Sequence, residues 1–496
     1  MKSMRETRKV GGDMKNAYPH ELSLFIGGQW RTGEGRTAID VINPSNGVRL
    51  GRLPVATERD IDDALCAADE AFPAWSQTSA WQREIVLRRA ATLIEERRAR
   101  LAEILTLENG KPLGDSNGEL DRVIEAIVYC AEEGKRAYGR ILPPRSRLLT
   151  QSTLKRPVGP VAAFVPWNFP AFLAARKIAA ALAAGCTVVL KPPEETPAIC
   201  IELVRAFVDS GVPNGALNLL FGVPAQISER LIASPVIRKV SFTGSVPVGR
   251  LLATMAAQQL KASTMELGGH APVVVFDDVD VARVAQACVA FKFRNAGQVC
   301  LSPSRFYVHA RVAASFTEHF VKASKALRVG DGMAPGTQMG PLNNERRLRA
   351  AEGLVKDARE RGAHVAAGGE RIGHKGWFFQ PTVLTEVAGS SLILIEEPFC
   401  PVAPILSFDS FDEVIARANG VDVGLAAYAF TNQLERAAEF TERIEAGWIG
   451  INNFVPSLAD APIGGAKDSG LGYEGGPEGL DAYMHTRFVS QSNVVV

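Results

Sequence analysis

Short apolar runs alternate with helical stretches through the middle of this chain, and this alternation constrains the fold more than any other feature. From Gly159 the runs VAAFV, CTVVL, ALNLLF and KVSFTG have the length of buried strands. The stretches between them, such as PAFLAARKIAAALAAG, carry apolar residues at helical spacing. Strands joined through helices pair in parallel, because a parallel crossover needs a connection of that length. The sequence therefore predicts an α/β fold built on a doubly wound parallel sheet.

The same rhythm resumes further along, which predicts a second α/β unit. The runs APVVVF, RFYVHA, PVAPILSF and GLAAYAF are separated by helix-like segments. A chain of 496 residues also exceeds what one hydrophobic core usually organises. We therefore place a boundary at residues 267–269, with a cofactor domain formed by residues 21–139 and 158–267 and a catalytic domain formed by residues 268–481.

Three segments fit neither unit. Residues 140–157 and 482–496 show no helical period, and we interpret them as extended arms that pair with another subunit. Residues 1–20 are basic and polar and lack the apolar region of a signal peptide. We expect them to form a disordered leader.

The charge balance and the cysteines exclude several classes of protein. A formal net charge of +1 gives no general attraction to nucleic acid or to an anionic membrane. No apolar run reaches the roughly 18 residues that a spanning helix needs. The seven cysteines form no CxxC pair and no cluster with histidine, so we expect neither a disulfide framework nor a metal site. These features indicate a cytoplasmic protein.

Cys300 differs from the other cysteines, most of which lie in apolar segments. It ends the polar stretch FRNAGQVC, between an amphipathic helix and a predicted strand, where a thiol can face a cleft. A thiolate is a nucleophile that can form a covalent intermediate with a substrate and so divide one difficult step into two easier ones. Without partners elsewhere in the chain, a small buried cysteine would be the simpler interpretation.

Two other segments supply candidate partners. Glu266 ends a predicted strand in MELGGH, and the two glycines that follow let the backbone turn, so its carboxylate can act as a general base in a cleft between the domains. Asn168 lies in VPWNFP between Pro166 and Pro170, which restrict the turn. Its amide can donate to an oxyanion together with the Cys300 backbone N–H. A strand-end carboxylate and an Asx turn are the structural alternatives.

Two further segments indicate a dinucleotide site. SFTGSVPVG passes from a strand through a glycine-rich turn into a helix, so Gly244, Ser245 and Gly249 would present backbone N–H groups to a pyrophosphate. Lys191 and Glu194 follow the strand TVVL, at the end of the sheet where such folds bind ligands. A surface ion pair is the alternative for these two side chains.

Seven strings in order, VPWNFP, KPPEETP, FTGSVPVG, MELGGH, FRNAGQVC, EEPFCPV and PIGGAKDSGLGYEGG, together resemble the aldehyde dehydrogenase superfamily. The resemblance extends over nearly the whole chain after the leader. It implies the fold of that family, in which a doubly wound cofactor domain, an α/β catalytic domain and an oligomerisation arm occur together. It also implies that Cys300 is the nucleophile, Glu266 the general base and Asn168 the oxyanion donor, in an enzyme that forms homodimers or homotetramers.

The resemblance extends to the cofactor site. The positions that match dinucleotide contacts are Pro166, Trp167, Lys191, Glu194, Gly222, Gly244, Ser245, Gly249, Leu267, Glu397 and Phe399. Glu194 resembles NAD-preferring members, because its carboxylate would bind the adenosine 2′-hydroxyl and repel a 2′-phosphate. We expect NAD, with NADP as the alternative. Val246 and Cys400 depart from the usual threonine and glycine, and Ser302 stands where some relatives carry a second cysteine.

Three positions resemble those with which succinate-semialdehyde dehydrogenases hold the distal carboxylate, namely Arg176, Arg294 and Ser457. Arginine offers a planar fork of donors that suits a carboxylate. We therefore expect NAD(P)-dependent oxidation of succinate semialdehyde. The alternatives within the family are 2-oxoglutarate semialdehyde, glutarate semialdehyde, an uncharged aldehyde or a CoA-acylating reaction. The alternative from another class is a non-catalytic structural or binding protein with this fold.

Overall fold

The computed structural model describes residues 18–19, 21–454 and 457–492, and its helices and strands are numbered here in chain order. Two large open sheets, of eight and seven strands, form the framework of the fold together with their helices, and there are three smaller sheets besides. The mixed α/β fold predicted from the alternating runs is confirmed. No helix in the described ranges is long and apolar enough to cross a membrane.

The first sheet contains eight strands. They are β1 (Leu24–Ile26), β2 (Gln29–Arg31), β7 (Val161–Phe164), β8 (Val188–Lys191), β9 (Leu217–Leu219), β10 (Lys239–Gly244), β11 (Ala262–Leu267) and β21 (Gly470–Leu471). Their order is β2-β1-β9-β8-β7-β10-β11-β21. The five strands from β9 to β11 are parallel, so their carboxyl ends share one edge. The strand order reverses beside β7, and such a point in an open α/β sheet is where ligands bind.

Eight helices accompany this sheet, and their sequences explain where several of them begin. They are α1 (Glu58–Gln77), α2 (Ala80–Glu96), α3 (Arg98–Asn109), α4 (Leu113–Glu133), α5 (Pro170–Ala184), α6 (Pro197–Asp209), α7 (Pro224–Ala233) and α8 (Val246–Gln258). Capping boxes at Thr57 and Ser79 start α1 and α2. Proline is the first residue of α5, α6 and α7, where its missing N–H costs no helical hydrogen bond.

The second sheet contains seven strands and lies beyond the boundary predicted at residues 267–269. They are β12 (Ala271–Val275), β13 (Pro303–His309), β14 (His364–Ala367), β15 (Thr382–Thr385), β16 (Val402–Phe408), β18 (Ala426–Phe430) and β19 (Trp448–Ile451), in the order β14-β15-β16-β13-β12-β18-β19. The helices that follow α8 are α9 (Val281–Lys292), α10 (Ala310–Lys325), α11 (Glu345–Glu360), α12 (Leu392–Ile395), α13 (Phe411–Asn419), α14 (Leu434–Arg443) and α15 (Gly476–Asp481). Two short pairs join β3 (Ala38–Ile42) to β4 (Arg49–Pro54) and β17 (Val423–Gly424) to β20 (Ala466–Lys467).

Two of the expected domain limits differ from the structure. Strand β21 pairs with β11, and Leu480 packs in the first core, so the end of the range 268–481 returns to the first sheet. At the other end, Tyr18 is buried and its hydroxyl donates to Glu108 at 2.7 Å, although we assigned it to the leader. Residues 1–17 and 20 lie outside the described residues.

The two segments expected to form arms pair with each other within the chain. Strands β5 (Arg140–Leu142), β6 (Leu149–Pro157) and β22 (Met484–Ser492) form an antiparallel sheet in the order β22-β6-β5. Ile141 is 86% exposed and Phe488 is 56% exposed on this sheet. Large apolar side chains exposed on an antiparallel sheet are typical of a surface that another chain covers.

Candidate active site

A cleft with about 820 Å³ of empty space, including its mouth, lies where the carboxyl ends of β10 and β11 face the loop before β13. Cys300 and Glu266 both line it, although 34 positions of sequence separate them. Arg176, Arg294 and Ser457 line the same cleft. The structure therefore brings the predicted nucleophile, base and substrate residues together.

The loop that carries Cys300 is held in a conformation that most residues avoid. Asn295 and Ala296 have φ values of 48° and 53°, and Gly297 follows at 74°. A Cβ at Gly297 would overlap the Cys400 carbonyl oxygen, so only glycine fits there. Left-handed non-glycine residues persist only where surrounding contacts hold them, and they cluster at functional sites.

Gln298 supplies the contacts that hold this loop. Its Nε2 donates to the Asn295 carbonyl at 2.9 Å, and its Oε1 accepts from the Asn343 N–H at 2.9 Å. The side chains of Gln298 and Asn343 are both buried. The strained turn therefore presents Cys300 to the cleft from a fixed backbone.

The Cys300 thiol is neutral in this state. Burial raises its pKa to about 12, with Glu397 and Glu266 adding to the rise and Arg176 opposing it. A partly buried thiol such as Cys300 ionises poorly because its thiolate loses part of its hydration. Activation of the nucleophile therefore requires a base beside it.

Glu266, which lines the same cleft as Cys300, is the candidate for that base. It is only 6% exposed, and its Oε1 has no hydrogen-bond partner among the described residues. Burial raises the pKa of Glu266 well above its ordinary value, and the charge of Glu474 adds to the rise. A carboxyl with a raised pKa can exchange a proton near neutral pH, as a general base must.

Glu474 and Lys177 form a buried ion pair next to Glu266. Lys177 Nζ donates to Glu474 and, at 3.0 Å, to Ser241 Oγ. Burial alone would raise the pKa of Glu474, but the charges of Lys177 and Arg176 hold it below its ordinary value. Glu474 therefore stays ionised and disfavours a second negative charge on Glu266.

Asn168 is buried in the loop just before α5 and is not among the residues that line the cleft. Its Nδ2 donates to the Gln298 carbonyl at 3.2 Å, which ties it to the Cys300 loop. Its Oδ1 has no partner among the described residues. A primary amide carries two N–H groups, so one remains for a second acceptor.

The predicted substrate residues have different surroundings. Arg176 is 5% exposed, donates to Ser457 Oγ, and stacks on the Phe172 ring at 4.5 Å. Arg294 is half-buried, and its Nε lies 3.7 Å from Asp115 Oδ1. Arg176 and Ser457 therefore already form a contact, and both arginines also interact with an acid, Arg176 with Glu474 at 3.8 Å and Arg294 with Asp115 on α4.

Several residues predicted to bind a dinucleotide lie at the strand ends of the first sheet. Lys191 Nζ lies 2.7 Å from Glu194 Oε1, which also accepts from the Gly222 N–H at 3.1 Å. Helix α8 starts after Gly244 and Ser245, and the side chain of its N-cap residue Ser245 makes no capping hydrogen bond to the first turn. A Cβ at Gly249 would overlap the Leu267 side chain.

The remaining cofactor positions lie on the second unit and on the loop after β7, which begins Val165, Pro166 and Trp167. Glu397 Oε1 accepts from the Gly269 N–H at 3.2 Å, and burial raises the Glu397 pKa to about 7. Trp167 and Phe399 contact each other edge to face, with ring centroids 5.7 Å apart. These two contacts join predicted dinucleotide positions of the first sheet to those of the second unit.

The model of the Aldehyde dehydrogenase family matches residues 30–489. The chain belongs to the aldehyde dehydrogenase family. A putative 4-(hydroxymethyl)benzenesulfonate dehydrogenase of Comamonas testosteroni is 45% identical over 466 residues, which are 94% of this chain and 97% of the relative. The NADP-dependent succinate-semialdehyde dehydrogenase of Escherichia coli is 40% identical over 465 residues, covering 94% and 96%.

Solved structures agree with this assignment. The crystal structure of a succinate-semialdehyde dehydrogenase from Burkholderia pseudomallei has a TM-score of 0.93 and 39% identity, covering 96% of this chain and 98% of that one. The family resemblance predicted from seven strings is therefore confirmed, as is the aldehyde dehydrogenase fold. The chain is an aldehyde dehydrogenase of the NAD(P)-dependent family.

Several residues of this aldehyde dehydrogenase site were missed by sequence reasoning. They are Lys111, Glu119, Lys177, Asn295, Gln298 and Glu474. A signal existed for Lys177, because a lone lysine in the apolar helix AARKIAAALAA needs a buried acid. Its partner Glu474 lies 297 positions away, so the sequence did not indicate the pair.

Proposed function

We propose that this aldehyde dehydrogenase oxidises a small aldehyde with a remote anionic group to the carboxylic acid. Succinate semialdehyde is the first candidate substrate and NAD the preferred cofactor. The observation that carries the proposal is Arg176, a buried cation that lines the same cleft as Cys300. A guanidinium with a neighbouring hydroxyl, here Ser457, is a suitable receptor for a carboxylate or sulfonate.

The charges around the cleft support an anionic substrate. Of the acids that line it, Glu119 is paired with Lys111 at 2.6 Å and Glu474 is paired with Lys177. The third, Glu266, has a raised pKa because of its burial. Two of the three acids are therefore paired with lysines, and three arginines, Arg122, Arg176 and Arg294, also line the cleft.

In the proposed reaction, Cys300 Sγ attacks the aldehyde carbon while the thiol proton passes to the Glu266 carboxylate. The carbonyl π electrons move onto oxygen, and the oxyanion accepts from the Asn168 amide and the Cys300 N–H. Loss of hydride from the same carbon restores the carbonyl and leaves a thioester. Glu266, once deprotonated, then takes a proton from the water that attacks the thioester, and the Cys300 thiolate leaves.

The residues present fit a nicotinamide dinucleotide. The uncapped start of α8 suits a pyrophosphate, and the Lys191–Glu194 pair suits ribose hydroxyls. When bound, the dinucleotide accepts the hydride from the substrate carbon. Glu194 favours NAD over NADP because its carboxylate would repel the 2′-phosphate of NADP.

Panels of matched substrates test this proposal. Purified enzyme should oxidise succinate semialdehyde with a kcat/KM at least about tenfold above that for butanal, with NAD preferred over NADP. Arg176→Ala should reduce this preference, whereas Arg349→Ala, which removes a 74% exposed arginine, should not. Equal kcat/KM for charged and uncharged aldehydes would contradict the anionic substrate.

An aromatic aldehyde with an anionic group on its ring is the second candidate. Phe169, Phe172 and Phe291 all line the cleft, and a flat ring packs well against such walls. A third arginine, Arg122, also lines it. The relative at 45% identity is named for an aromatic sulfonate. A kcat/KM for 4-formylbenzenesulfonate above that for succinate semialdehyde would favour this candidate, and the reverse ranking would reject it.

We further propose that the enzyme acts as a homodimer or homotetramer in the cytoplasm, with the first sheet holding the cofactor and the second unit supplying Cys300. The exposed side chains of Ile141 and Phe488 support an interface on the arm. Light scattering should give a mass of two or four chains, and Phe488→Asp should lower it. A monomeric wild-type enzyme would contradict this assembly.

A further inference from the structure

Lys111 and Glu119 form an ion pair that is fully enclosed by protein. Both side chains are 0% exposed, and Lys111 Nζ lies 2.6 Å from Glu119 Oε2. An apolar pair of similar volume often stabilises a fold as well as a buried ion pair does. Stability alone is therefore a weak reason for this pair, and its neighbours suggest another.

The pair contacts both sides of Asn168. Lys111 Nζ donates to the Asn168 main-chain carbonyl at 2.7 Å and lies 4.1 Å from the centre of the Phe169 ring. Glu119 Oε1 accepts from the N–H groups of Ala171 and Phe172, at 3.0 and 3.1 Å. These are N–H groups that the first turn of a helix leaves without a helical partner. Lys111 thus fixes the loop before α5, and Glu119 fixes the start of α5.

The Asn168 carbonyl is also tied to the Cys300 loop. Asn295 Nδ2 donates to it at 3.2 Å, beside the donation from Lys111. In return, Asn168 Nδ2 donates to the Gln298 carbonyl at 3.2 Å. The main-chain carbonyl of Asn168 is therefore held both by the Lys111 ammonium and by the Asn295 side-chain amide. Any rotation of this peptide group would move the Asn168 side-chain amide relative to Cys300.

We propose that Lys111 and Glu119 are positioning residues for the oxyanion donor, acting through the main chain on either side of Asn168. The inference rests on the proposed role of Asn168. Neither side chain is assigned a contact with the reacting atoms. An oxyanion donor is effective only when it is held in place before charge develops, and displacement by about 1 Å costs about a hundredfold in rate.

The paired variant K111M/E119Q tests this role. It removes both charges together, so no unpaired ion stays buried, and the glutamine oxygen can still accept from one N–H of α5. We expect kcat for the preferred aldehyde to fall about ten- to a hundredfold, with little change in cofactor affinity. Iodoacetamide should alkylate Cys300 in the variant as fast as in the wild type, because the displacement of iodide by sulfur forms no oxyanion.

A double-mutant cycle with Asn168 distinguishes positioning from an independent effect. Asn168→Ala removes the donor itself, so K111M/E119Q should cost little further activity when combined with it. Lys356→Met is the control for loss of a lysine. Lys356 is 76% exposed on α11, its Nζ lies 3.8 Å from Glu360 Oε1, and its removal should leave kcat within about twofold.

Three outcomes would overturn the inference. The first is that K111M/E119Q lowers the alkylation rate of Cys300 as much as it lowers kcat. The second is that the losses of kcat in K111M/E119Q and Asn168→Ala add when the variants are combined. The third is that kcat of K111M/E119Q equals that of the wild type. If the paired variant does not fold, Lys111→Arg keeps the charge but changes its shape and should give the same loss of kcat without loss of alkylation. A failure of Asn168→Ala to reduce turnover would instead reject the proposed role of Asn168 in the reaction.

Discussion

The guanidinium of Arg176 donates a hydrogen bond to the Ser457 hydroxyl across 281 positions of sequence. Arg176 comes from the helix that follows the Asn168 loop, and Ser457 comes from the segment after β19. Arg176, Ser457 and Cys300 all line the same cleft, so the Arg176–Ser457 contact makes one part of the cleft wall polar.

We predict that Ser457→Ala raises KM for the anionic aldehyde about three- to tenfold, because a hydrogen bond to a charged group contributes about 1 kcal/mol or more. The KM for butanal should not change, since an uncharged aldehyde makes no use of the hydroxyl. Steady-state kinetics with both substrates measure this difference. Equal changes for both aldehydes would indicate general disturbance of the cleft instead.

The rate should depend on pH through Glu266. Burial raises the pKa of Glu266 well above its ordinary 4.5, and only the ionised form can accept the thiol proton. Log kcat/KM should therefore rise with pH through an apparent pKa above 4.5, and the limb should disappear with Glu266→Gln. A profile that is flat from pH 5 to 9 in the wild type would contradict this assignment.

Cofactor preference should depend on Glu194. We expect Glu194→Gln to raise kcat/KM for NADP relative to NAD by about tenfold or more, because removal of one close negative charge relieves repulsion of about 1 to 2 kcal/mol. Glu58→Gln, which changes an 82% exposed carboxylate, is the control. A wild-type enzyme that already prefers NADP would make the proposed role of Glu194 wrong.

Lys292 should reduce stability. It is fully buried in α9, and its ammonium has no hydrogen-bond partner in the described part of the chain. Burial lowers its pKa from the ordinary 10.5 to about 8. Below about pH 8 the folded protein must bury the charge, so Lys292→Met should be more stable there by about 1 to 3 kcal/mol.

The advantage of Lys292→Met should shrink as the pH rises from about 8 towards 10.5. Between these pH values Lys292 is still protonated in the unfolded chain but has lost its proton in the folded chain. The free energy of unfolding of the wild type therefore rises with pH relative to that of the variant. Urea unfolding of both proteins at pH 7, 8.5 and 10 measures the difference. A constant difference across these values would contradict the burial of a charged amine.

The roles of Cys300, Glu266 and Asn168 could be predicted from the resemblance of seven ordered strings to a known family. Taken alone, each of these residues had a structural alternative that was at least as simple. Their assignment to nucleophile, base and oxyanion donor stays a prediction. The contacts that hold them could not be derived in the same way, because Lys177 and Glu474 meet only through the folded chain.

Some limits of the fold also depended on distant contacts. The run RKVSFTG predicts β10 from its own residues, but nothing local to Gly470 indicates that it pairs beside β11. The assignment of Tyr18 to a leader was wrong for the same reason, since its burial depends on Glu108, 90 positions away. Periodicity predicts elements, and pairing between remote elements follows from packing that periodicity does not describe.

The pairing of Gly470 and Leu471 with the strand of Glu266 has a consequence for biosynthesis. During translation the first sheet emerges from the ribosome long before residues 470–471, so its β11 edge stays unpaired while the second unit is made. An unpaired edge can accept another strand, so the first sheet reaches its final strand order only after residues 470–471 have been synthesised. Catalytic competence is therefore acquired late, when the last strand of the first sheet has been synthesised.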